Sequence, residues 1–144
     1  MDERIKENLR RLNRYRLLLE ENKKIPIEKF AEDPIYQYSA ERYLQIAIEI
    51  CLNIGNRIIA LMQFKKALFP PESYEDIVHQ LGRLGVIDKE YLQRFVEMAK
   101  LRNRLVHSYR DLAPEMVFDM VQNDLTDFLV FQDKVVEYLK NENI

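Results

Sequence analysis

The sequence is poor in the residues that break secondary structure and in the residue that cross-links it. It has three glycines, five prolines and one cysteine among 144 residues. So few breakers predict few turns and long elements. The single cysteine, Cys51, excludes a disulfide within one chain and leaves no cysteine-based metal site. We therefore expect a reducing, intracellular setting.

Long apolar runs are also missing. No stretch approaches the ~18–20 uninterrupted apolar residues of a membrane span, and the start, MDERIKENLRR, has no apolar signal core. We expect a cytoplasmic, soluble protein without membrane association. At 47% hydrophobic and 32% charged residues, the chain can bury the core of one domain over residues 1–144. Its net charge of -2 argues against a general nucleic-acid coat but permits a local basic site.

Helical periodicity and capping residues predict an all-α, up-and-down bundle of about five helices. No alternating strand pattern persists. The predicted helices run from about Asp2 to Asn22, Asp33 to Lys66, Ser73 to Leu84, Asp88 to Val106 and Pro114 to Asn141, with a short helical turn over Ile27 to Ala31. Aspartate before proline, at Asp33-Pro34, is typical of a helix start, and Gly85 is typical of a C-terminal cap.

The second predicted helix is apolar around most of its circumference. Besides its main face, it carries apolar residues on other sides: Leu44, Ile48, Leu52 and Ile59. A helix of this kind is buried on more than one side. Two interpretations weigh equally: one side forms a subunit interface, or the chain's own helices surround it. Gly55 within this helix would permit another helix to approach closely.

One short basic stretch, RNRLVHSYR from Arg102 to Arg110, could carry chemistry. Histidine exchanges protons near neutral pH, and the arginine fork matches phosphate oxygens. Together they suit RNA cleavage in which the 2′-hydroxyl attacks and no metal is needed. One histidine alone does not supply both the acid and the base that this reaction needs. Two copies of the chain related by a two-fold axis would supply both. The structural alternative is basic residues at a helix C-terminus, where the helix dipole favours them.

The spacing within this stretch bears on the chemistry. Arg102 and His107 are five residues apart, about 140° around an ideal helix, and so do not share a face. They would converge if the helix ended or loosened before His107.

The octet RNRLVHSY resembles the R-x4-H-x-Y signature of HEPN domains, in the branch of the HepT toxins. YLQIAIEI from Tyr43 to Ile50, followed by NIGN from Asn53 to Asn56, is similar to the long central helix of that branch. The resemblance implies an all-α protein, usually a homodimer, in which the motif arginine and histidine of both subunits line a cleft at the interface. Many members are metal-independent RNA endonucleases without a cofactor.

The resemblance also assigns roles and a partner. It implies that Arg102 and His107 are catalytic and that Asn103 supports them. The HepT-like branch is commonly paired with a nucleotidyltransferase antitoxin of the MNT type, which can silence the toxin by adding AMP to the motif tyrosine, here Tyr109. The predicted function is therefore an RNA-cleaving toxin; the alternative is a non-catalytic binding or regulatory subunit of the nucleotidyltransferase.

Further polar residues are candidates beside the motif. Three cations could bind the RNA backbone, or could simply be a solvated helix end: Lys100, Arg104 and Arg110. A polar stripe on the second helix could orient Arg102 or His107, or could face solvent; its candidates are Glu49, Asn53 and Asn56. His79 is expected to be structural or exposed, since two histidines and one cysteine make a metal site improbable.

Overall fold

The computed structural model describes residues 1–107 and 112–144, and these residues are helical with short connections. Seven helices are present in these two ranges: α1 (Glu3–Asn22), α2 (Ile27–Glu32), α3 (Pro34–Lys66), α4 (Tyr74–Leu84), α5 (Lys89–His107), α6 (Pro114–Asn123) and α7 (Thr126–Asn141). No strand occurs in the described part of the chain. The all-α prediction is confirmed.

Local capping signals account for the start of α3 and for both ends of α4. The side chain of Asp33 accepts a hydrogen bond from the backbone N–H of Ile35, and the hydroxyl of Ser73 accepts one from Asp76. Gly85 ends α4 at a φ of 83°, in the left-handed region that favours glycine. The predicted boundaries of these two helices are therefore confirmed.

The predicted fifth helix is wrong as a single element. The chain instead forms α6 and α7, with a break at Asp124 and Leu125. No glycine or proline marks this break in the sequence. Leu125 is 2% exposed, so burying its side chain in the core is compatible with the change of direction. With the short α2, this break raises the count from about five helices to seven.

The long helix α3 lies at the centre of the fold and packs against α1, α4 and α5. The apolar residues that the sequence placed on its other sides are all buried by the chain itself: Leu44, Ile48, Leu52 and Ile59. Of the two interpretations left open, the helix surrounded by its own chain is therefore right for these residues. By length and composition α3 could span a membrane, but 56% of its most apolar window is buried, as in a core helix.

Close packing of α4 on α3 requires a glycine. A Cβ atom added to Gly55 would lie 2.8 Å from Cδ1 of Leu81 and 2.9 Å from Cγ2 of Ile77. The expectation that Gly55 permits close approach of another helix is confirmed. Cys51, on the same helix, is fully buried, and this burial raises the pKa of its thiol well above the usual range.

Helices α4 and α5 run antiparallel and bring distant residues together. Leu92 packs against Gly82 near one end of the pair, and Arg102 lies over the ring of Tyr74 near the other. The C-terminal part of α5 therefore reaches the start of α4. This arrangement positions the first residue of the basic motif.

Candidate active site

Arg102 is held by side chains from two other helices. Its Nε donates a hydrogen bond to Oε1 of Glu49 on α3, at 3.0 Å. Its guanidinium carbon lies 4.8 Å from the ring centroid of Tyr74, the first residue of α4. The Arg102 side chain is only 15% exposed. A cation that stacks on an aromatic face and pairs with a carboxylate has a restricted orientation.

The carboxylate that holds Arg102 is itself oriented. Gln45, one turn earlier on α3, donates from Nε2 to Oε1 of Glu49 at 3.1 Å, as residues four apart on one helix face can do. Glu49 of the polar stripe thus contacts Arg102, and Gln45 orients Glu49. The stripe is not only a solvent face.

The remaining donors of Arg102 determine what it can bind. A guanidinium has five N–H donors. Nη1 donates to Oδ1 of Asn103 at 3.3 Å, and within residues 1–107 and 112–144 no hydrogen bond from Nη2 is present. The contact with Glu49 fixes the arginine through Nε, so the Nη edge can meet a phosphate.

His107 lies at the last position of α5 and is exposed. Helix α5 continues unbroken from Lys89 to His107, so the loosening that would bring His107 to Arg102 does not occur. On one continuous helix the two residues are about 140° apart around the axis and ~7.5 Å apart along it. Within one chain, Arg102 contacts α3 and α4, whereas His107 is exposed.

The other predicted site residues have different settings. Asn103, Arg104 and Lys100 are exposed on α5, and Asn53 and Asn56 are exposed on α3. In the part of the chain that the structure describes, neither Asn53 nor Asn56 hydrogen-bonds Arg102 or His107. The structure therefore brings Glu49, but not these two asparagines, to the motif. Exposure of His79 on α4 agrees with the expectation for it.

Two predicted residues, Tyr109 and Arg110, lie outside the described residues. One contributor was missed from the sequence altogether: Tyr74. Its only local feature is a position just after the helix-capping Ser73, which says nothing about a partner. Only the antiparallel packing of α4 and α5 places its ring against Arg102.

A family model described as ribonuclease HepT-like matches residues 5–135, most of the chain. The chain belongs to this HepT-like family, and the resemblance drawn from the octet is confirmed.

Two curated relatives also match most of the chain. A tRNA nuclease HepT from Aphanizomenon flos-aquae is 24% identical over 135 residues, 94% of this chain and 89% of that protein. An mRNA nuclease HepT from Shewanella oneidensis is 32% identical over 107 residues, 74% of this chain and 77% of the relative. Both are nucleases, as the ribonuclease prediction requires.

Solved structures share the fold. A tri-AMPylated HEPN toxin of Shewanella oneidensis, in complex with an MNT antitoxin, superposes with a TM-score of 0.84 at 27% identity, over 95% of this chain and 99% of that one. A toxin–antitoxin structure with AMP-PNP gives a TM-score of 0.81 at 25% identity, over 94% and 99%.

Proposed function

We propose that this protein is the toxin of a toxin–antitoxin pair and an endoribonuclease that cuts RNA without a metal. The observation that carries the proposal is Arg102, which Glu49 fixes through Nε and Tyr74 fixes through its ring, so that the Nη groups not bonded to Glu49 can meet a phosphate. The names of the curated relatives, a tRNA nuclease and an mRNA nuclease, support it.

The proposed reaction uses the RNA itself as nucleophile. The 2′-hydroxyl attacks the adjacent phosphorus while a histidine removes its proton. Arg102 stabilises the charge that develops on the phosphate oxygens. The bond to the 5′-oxygen breaks, and that oxygen takes up a proton from an acid. The products are a 2′,3′-cyclic phosphate and a 5′-hydroxyl.

This reaction needs a base and an acid, and each chain offers one motif histidine. We propose a homodimer in which His107 of one chain complements the site of the other, because His107 and Arg102 do not share a face of α5. Exposed apolar side chains near this end of the fold support a contact with a second copy: Ile35, Tyr38, Val106 and Met116. A hydrogen bond from Gln37 to the carbonyl of Leu112 ties the start of α3 to this end.

The regulation that we propose follows the Shewanella oneidensis toxin, which is tri-AMPylated in its complex with an MNT antitoxin. An MNT-type nucleotidyltransferase would add AMP to Tyr109, two residues after His107. The added phosphate would repel the RNA backbone, and the nucleotide would block access to the histidine. We place this pair in the cytoplasm, where a free, buried Cys51 stays reduced.

The test is a cleavage assay in chelator on total RNA and on tRNA, with protein made without any partner and checked by intact mass for added AMP. The native chain should cut and leave 2′,3′-cyclic phosphate ends, and His107→Ala should not. His79→Ala is the matched control, since it removes the other histidine, exposed on α4, and should cut normally.

Each other outcome has a definite meaning. Cleavage that depends on an added divalent metal and stops in chelator would overturn the metal-free mechanism. No cleavage by an unmodified, dimeric native chain would move the conclusion to the non-catalytic subunit of a nucleotidyltransferase. A chain that stays monomeric at micromolar concentration by light scattering would contradict the two-chain site.

A further inference from the structure

A cavity of about 350 Å³ lies beside the helix that carries Arg102, lined by residues of α3, α5, α6 and α7 and by the connection between the last two. Its size falls at the lower end of the ~300–1,000 Å³ typical of small-ligand sites. The apolar part of its lining consists of Leu44, Ile48, Met98, Leu101, Met120 and Phe128. Methionines adapt to flat ligands better than branched side chains do. The cavity thus offers an apolar bed for one planar group.

Charged side chains stand at the edge of this cavity, and most are paired. Arg94 binds Asp127 at 2.7 Å. Lys100 lies 3.7 Å from Glu97. Two charged residues of the lining are not part of these pairs.

Those two residues, Arg104 and Asp124, make no ion pair within the described ranges 1–107 and 112–144. Burial raises the pKa of Asp124, and the nearby carboxylates of Asp127 and Asp119 raise it further, while the charge of Arg94 opposes part of this shift. A hydrogen-bond donor placed at Asp124 would relieve this repulsion. Among the described residues, Asp124 therefore has no side-chain donor bonded to it and Arg104 has no anion bonded to it.

We propose that this cavity binds one nucleotide of the RNA substrate, with the base on the apolar bed, its exocyclic amino group donating to Asp124, and a phosphate at Arg104. The inference rests on the proposed function and adds base selection to it. Single-stranded RNA presents unstacked bases to such pockets, a carboxylate accepts from the amino group of cytosine, and arginine pairs with phosphate.

Continuity with the candidate active site supports this occupant. Leu101, in the apolar bed, immediately precedes Arg102, and Met98 lies one turn before it on α5. A nucleotide in the cavity would thus be held by the same helix that presents Arg102 to the scissile phosphate. The cavity prefers bases that carry an amino group over uracil, which has a carbonyl in that place.

The experiment measures binding of CMP and UMP by equilibrium dialysis to the His107→Ala chain, so that the result does not depend on cleavage. CMP should bind about 10-fold more tightly than UMP, the discrimination expected of one base contact. Asp124→Asn should abolish this preference, since an amide can also donate to the uracil carbonyl. Asp119→Asn is the matched control: it removes the same charge from exposed Asp119, on α6 and outside the cavity lining, and should keep the preference.

A second measurement links the site to RNA. The trinucleotide ApCpA should displace CMP, and ApUpA should do so about 10-fold less well. Leu101→Trp, which fills the cavity, should weaken binding of both mononucleotides, with circular dichroism as the check on folding.

Several results would overturn the cavity proposal. Equal binding of CMP and UMP would do so, as would a preference that survives in Asp124→Asn or an absence of saturable binding at millimolar nucleotide, even if the chain cuts RNA. Displacement of CMP by neither trinucleotide would remove RNA as the ligand. Normal CMP selection in a native chain that cuts no RNA would instead overturn the proposed function and leave the nucleotide site standing.

Discussion

Between residues that the structure describes, two arginine–carboxylate pairs join α3 to other parts of the fold, and they are built differently. In the first, Arg57 of α3 binds Asp2 through both Nε and Nη2, at 2.7–3.2 Å. The same carboxylate caps α1 by accepting from the backbone N–H groups of Arg4 and Ile5. The Nε and Nη2 groups of Arg57 and both carboxylate oxygens of Asp2 are thus used in contacts within the protein, so this pair holds α1 against α3.

In the second pair, the arginine gives only Nε to the carboxylate. Arg102 reaches Glu49 through that single atom, and Tyr74 supports its flat face. A bidentate contact uses two nitrogens of the guanidinium, whereas a single contact through Nε orients the side chain and leaves Nη donors that the carboxylate does not bind. The first pair is thus suited to stability and the second to binding a ligand. Substitutions in the two pairs test this distinction.

The largest difference should appear in activity when each arginine is removed. We expect Arg102→Ala to lower the rate of RNA cleavage by ~10²–10³-fold, the usual loss when a donor to a developing charge is deleted. Arg57→Ala should stay within about 2-fold of the native rate, since Arg57 serves the scaffold. Initial rates on one tRNA substrate measure both. Comparable losses in the two variants would erase the distinction.

A smaller loss of activity should follow when Arg102 remains but the ring of Tyr74 beneath it is removed. Tyr74→Leu should lower kcat about 10-fold with little change in KM, because a misplaced arginine costs more in the transition state than in the bound substrate. Tyr74→Phe keeps the ring and should restore most of kcat. If Tyr74→Phe were as slow as Tyr74→Leu, the hydroxyl rather than the stacked ring would be what matters.

Stability should show the opposite ranking. Asp2→Ala removes the cap of α1 and the fork to Arg57, so we expect the free energy of unfolding in urea to fall by ~1–2 kcal/mol. Glu49→Gln should change it by less than about 1 kcal/mol, as for a partly exposed pair, while slowing cleavage. A larger loss of stability in Glu49→Gln than in Asp2→Ala would contradict the assignment of roles.

The smallest expected effect is a change in the stability contribution of Asp2 at acidic pH. The hydrogen bond from Arg57 holds the pKa of Asp2 below its usual value of 3.8, although partial burial opposes this shift. A carboxyl with a lowered folded-state pKa adds stability above its unfolded pKa, and that stability is lost as pH falls through the folded-state pKa. The stability gap between native and Asp2→Asn chains should therefore be full at pH 7 and narrow below about pH 4. A gap that does not change with pH in urea titrations would argue against this ionic contribution.

What the sequence could predict of the fold depends on how local each signal is. The ends of α3 and α4 follow from neighbouring residues at Asp33, Ser73 and Gly85, and these predictions are confirmed. The break between α6 and α7 was missed because the apolar spacing continues through Leu125. The burial of Leu125 is compatible with the break, but the neighbouring sequence carries no signal of it.

The residues of the candidate site also fall into those that the local sequence indicates and those that only the tertiary structure shows. A contiguous octet marks Arg102 and His107, so the sequence alone indicates them. Glu49 was one member of a polar stripe whose spacing fits a solvent face equally well, and its bond to Arg102 joins residues far apart in the chain. Tyr74 carries no local sign of its contact. Such pairings depend on how helices cross, which periodicity does not encode.

The burial of Cys51 has a practical consequence for testing the two-chain site. It is the only cysteine in the sequence, and its raised thiol pKa and complete burial make it a poor target for alkylating reagents. A cysteine placed on the surface, as in His79→Cys, would then be the only reactive thiol of the folded chain. A spin label there would report one distance per pair of copies, and so the geometry of an assembly, without any change to the native cysteine.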